Sequence, residues 1–305
     1  MSGREGIRFA ALGDSLTEGL GDPVPGGWRG WAALLAEGIG AAEYLNCARS
    51  GALTADVATD QLTAARAFRP HLAAVVAGAN DTLRGSFDIT AVAAQLDAAL
   101  GALAADGVTA LTACLPDPGW MLGLPWPLAR PLGRRMRAVN HVVHALSRRY
   151  GAVHLHAAEH PWVADRACWS VDRLHPSELG HRMLAFEFHA LLAERGLAAG
   201  EPPSTTPDGP PPGRAASAWW MATRGTGWVL DRCTDLLPDL LRLAAAECRH
   251  RAAGSPAVLD EAAHRAAVAA VAALAPARSA GAGRAGVPGS ACAPGESYGV
   301  ASVPG

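Results

Sequence analysis

Up to about Gly196 the chain alternates between short apolar runs and helix-like segments, and this alternation restricts its fold more than any other feature. Strand candidates lie near residues 7–12, 43–47, 71–77, 108–115 and 152–156. Helical stretches fall between them, from Trp28 to Glu37, Thr54 to Phe68, Thr90 to Ala105 and Pro131 to Tyr150, and a last one runs from about Ser177 to Arg195. In the third, Val92, Leu96, Ala99 and Leu103 recur at helical spacing, with Thr90 expected as its cap and Gly107 as its stop. Such alternation predicts an α/β fold, a parallel sheet with helices on both faces.

In such a sheet the carboxyl ends of the strands share one edge, and ligands bind there. Four polar or glycine-rich stretches fall near this edge. The first run ends in Gly13-Asp14-Ser15-Leu16, the second is followed by Arg49-Ser50-Gly51-Ala52, and the third by Gly78-Ala79-Asn80-Asp81. The fourth, Asp172-Arg173-Leu174-His175, precedes the last helix. Taken alone, Asp14 and Ser15 fit a helix cap equally well.

Together the four stretches supply the groups that acyl transfer requires. Ser15 offers a hydroxyl nucleophile, His175 a base, and Asp172 a carboxylate to orient the imidazole. The Asn80 amide and the backbone N–H groups of Gly51 and Ser15 are candidate oxyanion donors. Gly51 has no side chain to hold a substrate oxygen away.

Composition removes competing chemistries. All 26 basic residues are arginine, so a phosphate-loop lysine, a Schiff-base lysine and a Ser-x-x-Lys pair are excluded. A formal net charge of -2 gives no electrostatic case for nucleic acid. The first residues, MSGREGIRF, lack the apolar core of a secretory leader, and no run is long enough to span a membrane. Six scattered cysteines without C-x-x-C spacing fit free thiols, so a cytoplasmic location is expected.

The ordered blocks Gly13-Asp14-Ser15-Leu16, Gly51, Gly78-x-Asn80-Asp81 and Asp172-x-x-His175 resemble the GDSL hydrolases, also called SGNH hydrolases. No catalytic position departs from that pattern, and the G-x-S-x-G elbow of the α/β-hydrolases is absent. The resemblance implies a flavodoxin-like, three-layer α/β/α domain with about five parallel strands. It also implies hydrolysis of esters or thioesters, with a small-molecule acyl substrate and no cofactor, but selects no natural acyl group. A non-catalytic module that holds an acylated ligand, with a C-terminal segment docking on a partner or membrane, is the competing reading.

His181 rivals His175 but has no acid at a comparable offset before it. His141 and His144 lie one helical turn apart, and His154 and His156 share a strand face. These spacings suit zinc, but no acidic or thiolate ligand stands out in sequence, so no metal site is expected. Residues 116–132 form an unusually apolar loop that either fills the core or lines an acyl groove. The groove is favoured, which makes Trp120, Leu122 and Trp126 candidate substrate-binding residues.

Residues 1–197 thus read as the hydrolase domain and 198–217 as a proline-rich linker. Residues 218–275 read as a helical C-terminal extension and 276–305 as a disordered tail. In the extension a helix is expected from Pro238, with Leu237, Leu241, Ala244 and Cys248 aligned, and another from about Ser255 to Leu274. Its tryptophans, Trp219, Trp220 and Trp228, suit a membrane surface, but interleaved arginines and carboxylates disfavour one. Docking back onto the hydrolase domain near Trp120 is expected instead.

Overall fold

The computed structural model describes residues 6–209 and 226–274, with side chains of the second segment from residue 236 onward. The expected disordered tail, Trp219 and Trp220 lie outside the described residues, as does the side chain of Trp228.

The five apolar runs form one parallel sheet. Its strands are β1 (Arg8–Gly13), β4 (Glu43–Asn46), β5 (Leu72–Val76), β6 (Thr109–Ala113) and β7 (Val153–Leu155), in the order β4-β1-β5-β6-β7. A two-strand hairpin, β2 (Pro23–Val24) and β3 (Gly27–Trp28), stands apart from it. β1 and β5 are buried nearly throughout, which explains why they read as continuous apolar runs rather than alternating ones. The chain passes from β1 outward to β4 and then crosses back to β5. The strand order therefore reverses between β1 and β5, where a ligand crevice opens.

In chain order the helices within the α/β portion are α1 (Ser15–Glu18), α2 (Gly30–Gly38), α3 (Thr54–Asp56), α4 (Leu62–Phe68), α5 (Ala79–Thr82), α6 (Ile89–Ala105), α7 (Pro118–Met121), α8 (Trp126–Tyr150) and α9 (Glu178–Glu194). α2 packs with α9, where Trp31 stacks on Phe188 at 4.9 Å between ring centroids. α6 packs with α8. The fold is the expected flavodoxin-like α/β/α arrangement.

Three boundaries differ from expectation. α6 is capped by Asp88, whose carboxylate accepts the Thr90 N–H, so Thr90 lies inside the helix. The helix expected over 54–68 is interrupted by a π turn at Val57–Gln61 between α3 and α4. α8 starts at Trp126, five residues before Pro131. Pro131 removes one helical hydrogen bond close to the N-terminus, where the chain can absorb the loss.

Two further helices, α10 (Thr226–Ala252) and α11 (Ala257–Ala272), pack on α8, and α11 also meets α6. Pro238 lies within α10 rather than at its start. The buried face is shifted by one residue: Leu236, Leu240 and Ala244 are buried, whereas Leu237, Leu241 and Cys248 are exposed. The doublets Leu236-Leu237 and Leu240-Leu241 allow either face, and ion pairs favour this one. Glu247, 1% exposed, meets Arg130 at 3.3 Å and also Arg134, while Asp260 meets Arg130, Arg134 and Arg137 at 2.7, 2.9 and 3.1 Å. Leu236 and Leu240 close over Leu132, with Leu83, Leu124 and Leu128 around them. Residues 201–209, beyond α9, are also tied down. Pro203 is buried, and Asp208 pairs with Arg29 and Arg182 at 2.9 and 2.6 Å.

Candidate active site

β1 ends where Gly13 passes so close to β5 that a Cβ would lie 2.3 Å from the Val76 carbonyl oxygen. The turn is fixed from the other side by Gln61, which the π turn brings inward. Its amide accepts the Gly13 N–H at 2.8 Å and donates to the Gly13 carbonyl at 2.9 Å. Asp14 then caps α1 by accepting the Leu16 N–H, and Ser15 is the first residue of that helix. The capping and catalytic readings of this stretch are therefore compatible.

Ser15 Oγ lies 2.7 Å from His175 Nε2, and His175 Nδ1 lies 2.6 Å from Asp172 Oδ2. These three residues, 160 positions apart at the extremes, form one hydrogen-bonded line. The second oxygen of Asp172 accepts from Ser170 Oγ, Leu174 N and His175 N at 2.7, 2.9 and 3.0 Å. Burial opposes ionisation of Asp172, but its bonds and proximity to His175 outweigh that and hold its carboxyl at about 2. Asp172 is therefore a carboxylate at neutral pH.

Asn80 and Gly51 sit on the same pocket as Ser15. Gly51 has φ +81°, a left-handed conformation that a side chain would disfavour. The turns that carry them are laced together. Asn80 donates to the Ala52 carbonyl at 3.0 Å, leaving a second amide hydrogen. Asp81 accepts the Thr54 N–H and hydroxyl at 3.1 and 2.7 Å. Glu18 accepts from Ser50 N and Oγ, which binds the end of α1 to the Gly51 turn.

The rest of the pocket wall is apolar and includes Leu83, Leu115, Met121, Trp162, Trp169 and Leu184. The candidates Trp120, Leu122 and Trp126 are not among its lining residues. In the single turn of α7, neighbours diverge by about 100°, so Met121 faces the pocket while Trp120 is 59% exposed. Trp120 and Trp126 border a separate cleft with Arg130 and Asp260, and Arg251 lies over the Trp126 ring at 4.7 Å.

His181 is fully buried, donating to the Leu20 carbonyl at 2.8 Å and accepting the Trp31 N–H at 3.2 Å. Burial lowers its pKa to about 4 and keeps the ring neutral, a packing role rather than a base. His141 stacks edge-on with His264 of α11. His144, His154 and His156 come together elsewhere, and a thiol joins them: Cys114, which sequence spacing alone did not connect to them.

The sequence model of the GDSL-like lipase/acylhydrolase family matches residues 11–183, more than half of the chain and all four blocks around the pocket. The chain belongs to this family. Several solved structures share its fold. Axe2, an acetylxylan esterase from Geobacillus stearothermophilus, is 20% identical over 61% of this chain and 94% of its own, with TM-score 0.50. TesA is 23% identical over 61% and 98%, with TM-score 0.50. A lipase/acylhydrolase from Enterococcus faecalis is 16% identical over 64% and 98%, with TM-score 0.50. No curated protein matches the chain in sequence. Among the described residues no helix is long and apolar enough to cross a membrane.

Proposed function

We propose that this GDSL-family chain hydrolyses carboxylic esters through an acyl-enzyme on Ser15. The observation that carries the reading is the Ser15–His175–Asp172 line, at 2.7 and 2.6 Å, opening onto a largely apolar pocket. Ser15 Oγ attacks the ester carbonyl as its proton passes to His175 Nε2. Asp172 orients the ring through Nδ1 and stabilises the imidazolium that forms. The oxyanion is met by the N–H groups of Ser15 and Gly51 and the free amide hydrogen of Asn80. His175 returns the proton to the leaving alcohol. Water then attacks the acyl-enzyme with His175 again as base, regenerating Ser15 and releasing the acid.

The walls favour a neutral, apolar acyl group. No arginine is among the residues lining the pocket, so an anionic acyl chain would find no counter-charge there. Trp120, Leu122 and Trp126 drop out of the substrate role and Met121 and Leu115 take it.

The test is hydrolysis of p-nitrophenyl esters of graded acyl length, combined with a phosphonate probe. Turnover with the covalent adduct on Ser15 is expected. Binding of acyl esters without turnover would favour the ligand-holding module, and an adduct on Ser50 or Ser177 would overturn the nucleophile assignment.

A further inference from the structure

The carboxyl ends of β6 and β7 carry a second cluster behind the pocket wall. In their parallel pairing Thr112 lies opposite His154. Cys114 continues the pairing past β6 by donating its N–H to the Leu155 carbonyl at 3.1 Å. Because strand side chains alternate, Thr112 and Cys114 share a sheet face with His154 and His156. α8 packs against β6 and β7 and contributes His144. One donor atom from each of Cys114, His144, His154 and His156 lies within 4.8 Å of the other three. The imidazoles crowd together, with ring centroids 4.7 Å apart for His144–His154, 5.1 Å for His144–His156 and 4.7 Å for His154–His156.

Hydrogen bonding leaves this cluster incomplete. The Nε2 atoms of His144 and His154 are buried and make no hydrogen bond. Unpaired buried polar atoms are rare and call for an explanation. On His154 the other nitrogen is engaged: Thr112 Oγ1 lies 2.9 Å from Nδ1 and can donate to it or accept from it. An outer-shell partner of this kind fixes the ring and aims Nε2 at a ligand.

We propose that Cys114, His144, His154 and His156 form a structural zinc site. A thiolate with three imidazoles is a borderline-soft donor set, unsuited to calcium or magnesium and suited to zinc. Tetrahedral zinc would bring the donors to about 3.4–3.6 Å from one another, a closure of roughly 1 Å from the widest separation here. Four protein ligands leave no open position, so the ion would stabilise rather than catalyse. Arg148 borders the cleft and opposes a cation, whereas the Glu159 carboxylate favours one. The Arg195 guanidinium is turned to the Gly151 and Ala152 carbonyls. Leu115 and Ala157, each next in sequence to a ligand, line the Ser15 pocket. Zinc would thus clamp together the two strand ends that form part of its wall.

The test uses the full-length, tag-free protein, stripped with a chelator and titrated in separate samples with Zn2+ or Co2+. One zinc per chain with a Kd below about 1 μM is expected, with a rise in Tm. Cobalt should give visible bands of tetrahedral coordination and a near-ultraviolet thiolate charge-transfer band. Cys114→Ser and, at the exposed ligand, His156→Ala should each weaken zinc binding by roughly 100-fold or more, and Cys114→Ser should remove the charge-transfer band. Cys248→Ser and Ser15→Ala should bind zinc unchanged, which separates this site from the proposed hydrolysis. Binding far weaker than one equivalent, or His156→Ala with unaltered affinity, would overturn the proposal. So would a cobalt–thiolate band that persists in Cys114→Ser or disappears in Cys248→Ser.

Discussion

The carboxyl edge of the sheet and the outer face of α8 are held by different means. At the edge, turns distant in sequence are laced by short hydrogen bonds, Gln61 to Gly13, Asn80 to Ala52 and Asp81 to Thr54, and the Asp172 turn is braced locally by Ser170 and Leu174. On α8, a small leucine cluster and an arginine–carboxylate network hold α10 and α11. Hydrogen bonds between turns fix individual atoms, as acyl transfer demands. Leucine packing and ion pairs tolerate small displacements and act mainly on stability. Substitutions at the edge should therefore alter rate with little effect on folding, and substitutions on the outer face should do the reverse.

The sharpest test is Ser15→Ala. It removes the proposed nucleophile and little packing, so kcat should fall by roughly 10⁴–10⁶ with the melting temperature nearly unchanged. A variant that loses activity by unfolding would break the contrast. Asn80→Ala comes next, with an expected loss of roughly 10²–10³ in kcat and a smaller change in KM, because the oxyanion exists only along the reaction path. A change confined to KM would make Asn80 a ground-state binder.

The two regions also differ in how far they can be read from sequence. The edge was legible because Gly13, Gly51 and Gly78 sit at or just beyond strand ends and the polar residues beside them have few other uses. What supports the edge was not. Gln61 reads as one polar residue on a helix until a π turn rotates it toward Gly13. Cys114 joins His154 and His156 only through strand register, which spacing along the chain does not reveal. On the outer face the helical spacing points to Leu237, Leu241 and Cys248, yet Leu236 and Leu240 are the buried leucines, because the doublets fit either side and periodicity alone picks the wrong one. Trp120 and Trp126 show the converse: a strongly apolar loop does not say which of its residues turns inward.

Glu247→Ala tests the outer face. It takes away a carboxylate that is almost wholly buried between Arg130 and Arg134, both of which keep Asp260 as a partner. The remaining partner places the cost at the low end for a broken buried pair, about 3 kcal/mol of stability. Turnover per folded molecule on a small ester should not change. If kcat falls while Tm holds, α10 reaches the chemistry, and the division between the two regions fails.

The smallest expected effect is at Asp14, where the two behaviours should meet. Asp14 is buried, and desolvation is the largest influence on it, raising its carboxyl to about 6 despite the Leu16 N–H bond and the nearby His175. Below about pH 3.8 it is protonated both folded and unfolded, and ionisation costs the fold nothing. As the pH rises through about 6 the folded protein must hold a buried charge, so stability declines across that window. A shift of this size corresponds to about 3 kcal/mol, from which the weaker cap of a neutral amide subtracts, leaving about 2 kcal/mol. Asp14→Asn should accordingly melt higher than the parent at pH 7.5, whereas at pH 3.5 only the weaker cap remains and it should melt no higher. Protonation of Asp172 in the unfolded chain below about pH 3.8 weakens both proteins alike and cancels in the difference. The negative charge beside His175 also favours the imidazolium that forms during acyl transfer, so the stabilised variant should be the slower enzyme. If Asp14→Asn melts higher at both pH values, the gain comes from packing, and Asp14 carries no buried charge at neutral pH.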